Sequence, residues 1–153
     1  MTPQRTIALA GVFLRVAIGA SFLVATADRF GVFGPHASRN VAWGDWSHFV
    51  QYVAVLNWFV PRSLIPTLAA IETVVECALG IALLLGAYQR AVAWASAGLL
   101  MSFALTMTVA LGVLAPLSYS VFSAAAGALL LGAIAADPSP SGPRPSLEQR
   151  YHQ

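Results

Sequence analysis

The chain has 153 residues, of which 58% are hydrophobic and only 9% charged, and its mean hydropathy is +0.74. A soluble domain draws about a quarter of its residues from the charged types to cover its surface, so this composition excludes an ordinary soluble fold and specifies a membrane protein. The eight basic residues are all arginines, set against six acids for a net charge of +2; they are scattered rather than gathered into a patch, which excludes a nucleic-acid partner.

Crossing about 30 Å of hydrocarbon takes roughly 20 mainly apolar residues in a helix. The first stretch of that length runs from Ile7 to Ala27. Arg15 interrupts its apolar run after a few residues, which argues against a cleaved export signal. The connection that follows, residues 28–63, carries Trp43, Trp46 and Trp58, three of the four tryptophans. Indole rings prefer the headgroup level, so the loop is expected to lie along the membrane surface. Within it, Asp45 is placed to cap a short amphipathic helix reaching about Phe59, with Phe49, Tyr52, Val53 and Leu56 at helical spacing and Pro61 ending it.

The second and third spans, Leu64 to Tyr88 and Ala91 to Ala115, are parted only by Gln89 and Arg90 and so form a tight antiparallel hairpin. Pro116 marks the turn into a fourth span, Leu117 to Ala136. Residues 137–153, DPSPSGPRPSLEQRYHQ, are rich in proline and serine and predict a disordered tail. The expected fold is all-α: a four-helix transmembrane bundle over residues 1–136, with a surface-lying amphipathic helix in its long first loop. An even number of crossings puts both termini on one side. Arg5, Arg90, Arg144 and Arg150 lie on that side against Arg29, Arg39 and Arg62 on the other, which assigns both termini to the cytoplasmic face of a bacterial cytoplasmic (inner) membrane.

Cys77 has no second cysteine to pair with, so an intramolecular disulfide is excluded. His36, His48 and His152 fall outside the apolar runs, which excludes a haem held between two histidines within the bilayer. With no CxxC, HExxH, P-loop or GxGxxG motif, no metal and no intrinsic cofactor are expected, and no catalytic residue is assigned.

Chemistry therefore rests on charges inside the spans, which are costly in hydrocarbon and persist where they face the interior and find partners. Glu72 and Glu76, four residues apart, share a helix face continued by Gly80. Gly11, Arg15, Gly19, Phe22, Thr26 and Arg29 form one stripe of the first helix, with glycines that admit another backbone. At 1.5 Å per residue Arg15 lies about 12 Å deep, Glu76 about 18 Å and Glu72 about 24 Å. Arg15 with Glu76 is the expected buried pair, leaving Glu72 to look outward, toward Arg29 or the tryptophan loop. Two carboxylates beside one arginine are expected to hold one proton between them. The same residues also fit a purely structural lock between the two helices. Small residues at four-residue spacing, Gly98, Ser102 and Thr106, then Ser120, Ala124, Ala128 and Gly132, predict close packing of the last two spans.

Arg15, Gly19 and the run to Asp28-Arg29-Phe30-Gly31, together with Glu76, Gly80, Gly86 and Arg90 in ETVVECALGIALLLGAYQR, resemble the pattern of DoxX-type membrane proteins from about residue 7 to residue 136. That resemblance implies a four-helix membrane bundle similar to the large subunit of thiosulfate:quinone oxidoreductases and to membrane parts of thiol-redox systems.

Three functions are compatible with these residues. A subunit of a quinone-linked or thiol-linked redox system would place a quinone head near Glu72, with Trp46, His48 and Tyr52 offering hydrogen bonds and stacking faces; it needs a redox partner subunit as electron donor. A small proton-coupled carrier would use a buried carboxylate that trades its proton for substrate, and would need to form a homo-oligomer. A non-catalytic assembly subunit requires neither. The ligand-binding candidates are Glu72, Glu76, Arg15, Arg29, Trp46, His48 and Tyr52, and the bilayer is the one partner all three share.

Overall fold

Proline, glycine and one acid set the ends of the helices. The computed structural model describes residues 2–136, and among them the chain forms helices and no strand. α1 (Pro3–Asp28) begins with proline in its first turn, where the missing N–H would be unpaired in any case. α2 (Trp46–Leu56) is capped by Asp45, which accepts the His48 backbone N–H at 3.0 Å. A 3-10 turn (Arg62–Leu64) leads into α3 (Ile65–Leu85). Gly86 ends α3 in the left-handed conformation, φ 72°, and the Ala87 N–H returns to the Ala82 carbonyl at 3.1 Å, satisfying one of the orphan carbonyls of the last turn. α4 (Gln89–Leu111), α5 (Leu114–Ser118) and α6 (Val121–Ala136) complete the described chain.

α1, the segment Arg62–Leu85 and α4 are long and apolar enough to cross a membrane; α6, at 16 residues, is a shorter apolar helix of about 24 Å. The third span thus ends at Leu111, four residues before the expected Ala115, because Gly112 (φ 87°) leaves the helix. Pro116 sits in the first turn of the short α5, where it removes no helical bond. Ser120 (φ 56°) then breaks the expected fourth span into α5 and α6. The predicted tail, residues 137–153, lies outside the described residues.

α1 packs chiefly on α3, α4 chiefly on α6, and the two pairs join through α1 with α6 and α3 with α4. The α1–α3 contact is a backbone crossing: a Cβ on Gly19 would lie 3.0 Å from the Gly80 carbonyl oxygen, and one on Gly80 3.1 Å from that of Gly19. Ile18, Phe22, Leu83, Ala93, Ala97, Ala128 and Leu131 form the central core. On α6 the expected stripe is partly right, through Ala128 and Gly132. On α4 it is on the wrong face: Gly98 and Ser102 are exposed, and the buried small residues are Ala93, Ser96, Ala97 and Ala104. Helices this rich in alanine and glycine carry several small-residue stripes, and spacing alone does not choose among them. The outer faces expose Phe13, Val74 and Val109, among others, a surface that only hydrocarbon solvates without cost.

α2 ends at Leu56, short of Phe59, with Asn57 as its C-cap. It packs Phe49 and Val53 against Ile65 and Ala69 of α3. Trp43 and Trp46 pack around Phe49, with ring centroids 5.2 and 5.6 Å from it, and Trp58 alone of the loop's three tryptophans is exposed. Phe49 offers both rings an apolar partner within the protein.

Candidate functional site

Side chains on a helix lean toward its N-terminus. α1 and α3 run antiparallel, since Arg15, Gly19 and Arg29 meet Gly86, Gly80 and Thr73 in that order. Arg29, in helical conformation at the end of α1, therefore leans back into the bundle, while Glu76 leans up toward it. Their tips meet as an ion pair, Arg29 Nη2 donating to Glu76 Oε2. Arg29 Nη1 donates to Thr73 Oγ1 at 2.7 Å, and the Thr73 hydroxyl donates in turn to the Ala69 carbonyl at 2.8 Å. The guanidinium carbon lies 3.9 Å from the Phe49 ring centroid and 5.3 Å from that of Trp43, so two aromatic faces cover the charge.

The pair expected from depth, Arg15 with Glu76, does not form. Counting rise along the axes placed Arg15 and Glu76 within reach and Arg29 at the surface, but the lean of the side chains carries Arg15 away from Glu76 and Arg29 toward it. Arg15 lies instead against Gly86 at the far end of α3, where a Cβ on that glycine would collide with its Nη1.

Asp28 closes the roof. Its Oδ2 accepts the backbone N–H groups of Ala42 (3.0 Å) and Trp43 (2.8 Å), folding the loop back over Arg29. Gly44 is required for that fold: it adopts φ 71°, and a Cβ there would collide with the backbone of Pro35 and His36. Arg29, Glu76 and Asp28 are 2%, 4% and 5% exposed, which makes each dependent on its partners.

Glu72 differs. It sits at the flank of the buried stripe of α3, half-buried, near enough to Arg29 and Glu76 to interact with their charges, and makes no hydrogen bond among the described residues. Of the other candidates, Trp46 stacks on Phe30 at 5.9 Å and Tyr52 tilts against Trp43 at 6.0 Å. Burial pushes the Tyr52 phenol up from its ordinary value, helped by Tyr119. His48 belongs to a separate cluster: its Nδ1 pairs with Asp45 Oδ2 at 2.7 Å and its ring stacks on His36 at 3.7 Å. The His48 backbone N–H, the Ser47 hydroxyl and the His48 ring hold the Asp45 carboxyl far below the usual carboxylate range. Among the described residues no three His, Cys, Asp or Glu side chains are grouped as a metal ion needs.

The sequence profile of methylamine utilisation protein MauE matches residues 5–115. The chain belongs to the MauE family. It is an integral membrane protein on that ground and on its three long apolar helices. The MauE match spans α1 to α4 and the first residues of α5, and so includes Asp28, Arg29, Glu72, Glu76 and the aromatic loop but not α6. The resemblance to DoxX-type proteins does not hold. The residues that carried it are single arginines, glycines and glutamates along apolar helices, a pattern too short to separate one membrane family from another, and the match over residues 5–115 is to MauE. No curated relative and no solved structure matches the chain.

Sequence reasoning overlooks Thr73, reads Trp43 and Phe49 only as a loop tryptophan and an apolar helix position rather than as cover for Arg29, and sees Asp28 only as part of a motif. Thr73 carries a signal, being three residues before Glu76 and so on its face. Asp28 carries a weaker one, an acid directly before the arginine that ends a span.

Proposed function

We propose that this MauE-family chain is an integral membrane component of a redox-related system of methylamine utilisation, in which Glu72 meets a lipid-soluble ligand. The observation that carries the reading is the contrast between the two glutamates. Glu76 is paired with Arg29, whereas Glu72, one turn away, is half-buried with no hydrogen-bond partner among the described residues. A carboxyl group at a membrane-facing flank is reached through hydrocarbon, which favours a ligand that is apolar overall with a polar head. A quinone head meets those terms: its carbonyl oxygens accept a hydrogen bond from Glu72 when that carboxyl holds the proton, with the Trp43 and Tyr52 rings beside Arg29's roof as neighbouring aromatic surface. Electrons would come from a partner subunit.

Glu72→Leu keeps the approximate size and removes the hydrogen-bonding group. Lipid-soluble material extracted from purified wild type, read by mass spectrometry and absorption, is expected to contain quinone, and the variant is expected to lose it with an unchanged melting temperature. Equal retention by both proteins would return Glu72 to a packing role.

We further propose four crossings, α5 and α6 together making the fourth, with both termini on the cytoplasmic face of a bacterial inner membrane. In a Cys77→Ser background, single cysteines at Thr2, Tyr88 and Ser141 are expected to react with an impermeant thiol reagent from the cytoplasmic side and one at Ser38 from the opposite side. Ser141 reacting together with Ser38 would remove the fourth crossing.

A further inference from the structure

We propose that a cavity at the end of the bundle away from the Arg29–Glu76 pair binds the phosphate of an anionic phospholipid, with Arg15 as its cation. The cavity, about 280 Å³, lies where α1, the start of α4 and the end of α6 converge; Arg15 and Gln89 are its polar residues, and Val12, Leu131 and Ile134 form much of its apolar wall.

Arg15 is the unexplained charge of the fold. Among the described residues it makes no ion pair, and its Nε is buried without a hydrogen-bond partner. The acids within the described helices, Asp28, Glu72 and Glu76, all gather at the other end. The guanidinium rests against Gly86, at the C-terminal end of α3, whose dipole offers only about half an elementary charge. An arginine so placed keeps donors free, and the planar fork suits two oxygens of one phosphate.

The walls and the level of the cavity decide the class of anion. The α3–α4 turn beside it carries exposed Tyr88 and Arg90, which places this end at the headgroup region. A free anion would gain from Arg15 and Gln89 alone. A phospholipid places its phosphate at Arg15 and lays apolar chain along Val12, Leu131 and Ile134, matching both halves of the lining.

The test is native mass spectrometry of the full-length protein in detergent, titrated with phosphatidylglycerol and with phosphatidylcholine of the same acyl chains. Wild type is expected to bind one phosphatidylglycerol about ten-fold more tightly than phosphatidylcholine, and Arg15→Gln to lose that preference. Gly11→Leu, whose side chain would enter the cavity while leaving Arg15 in place, is expected to lose binding as well and serves if Arg15→Gln does not fold. Excess inorganic phosphate is expected not to displace the lipid. Equal binding of the two lipids by wild type, an undiminished preference in either variant, or displacement by inorganic phosphate would each overturn the proposal. Asp137, the next acid along the chain, lies outside the described residues; an ion pair between it and Arg15 would leave wild type without the preference and count against the site in the same way.

Discussion

Glu76→Gln is expected to destabilise the protein by on the order of 3–5 kcal/mol, the usual cost of removing one partner from a buried ion pair. The mechanism is the stranding of Arg29. At 2% exposure its guanidinium has no water to turn to, and Thr73 Oγ1 and the two aromatic faces satisfy only part of its charge. The companion variant separates this from a packing defect. Replacing both partners by apolar side chains, Arg29→Met with Glu76→Leu, removes the stranded charge and is expected to recover most of the loss, since a buried pair exchanged for hydrophobic residues is often near neutral. Thermal unfolding in detergent measures both. An unchanged melting temperature for Glu76→Gln, or a double variant that is worse than the single one, would mean that the pair does not hold α1 to α3.

The identity of that pair shows where the sequence stops being legible. Runs of about 20 apolar residues locate the spans, and Asp45 three residues before His48 locates the start of α2, because helix length and capping are local properties. The pairing of charges is not local. Levels counted along helix axes treat a side chain as a point on its Cα, whereas arginine and glutamate extend several ångströms toward the N-terminus of their own helix. On antiparallel helices that lean closes the distance for Arg29 with Glu76 and opens it for Arg15 with Glu76.

Arg29 reads from the sequence as lying at the outer membrane level, on the stripe of the first helix that Glu72 faces, with nothing to say that it is buried. Its burial comes from residues 30–45 folding back through Asp28 and Gly44, and no periodicity announces such a fold. The same closure brings Trp43 over the charge as part of its cover. Glu72 keeps the place given to it by its spacing from Glu76, on the flank of the same face. The function proposed for it therefore depends on sequence for position and on the structure for its lack of a hydrogen-bond partner among the described residues.

Gly80→Leu is the second substitution expected to have a large effect. A Cβ at this position would lie 3.1 Å from the Gly19 carbonyl oxygen and 3.0 Å from Leu23 Cδ2, so leucine sets three further carbons against a backbone that yields only if α1 moves. Overpacking of this kind typically costs about 1–3 kcal/mol. The separation of α1 from α3 also stretches the Arg29–Glu76 pair, because the glycine crossing fixes the distance across which that pair reaches. Gly80→Ala is expected to be milder but still destabilising, although alanine favours a helix over glycine by roughly 1 kcal/mol. Gly98 is the internal control. Nothing lies within 4 Å of a Cβ there, so Gly98→Ala is expected to be neutral or stabilising in the same unfolding measurement. Were Gly80→Ala to stabilise as Gly98→Ala does, the two backbones would not be in contact, and the helix spacing that brings Arg29 to Glu76 would need another cause.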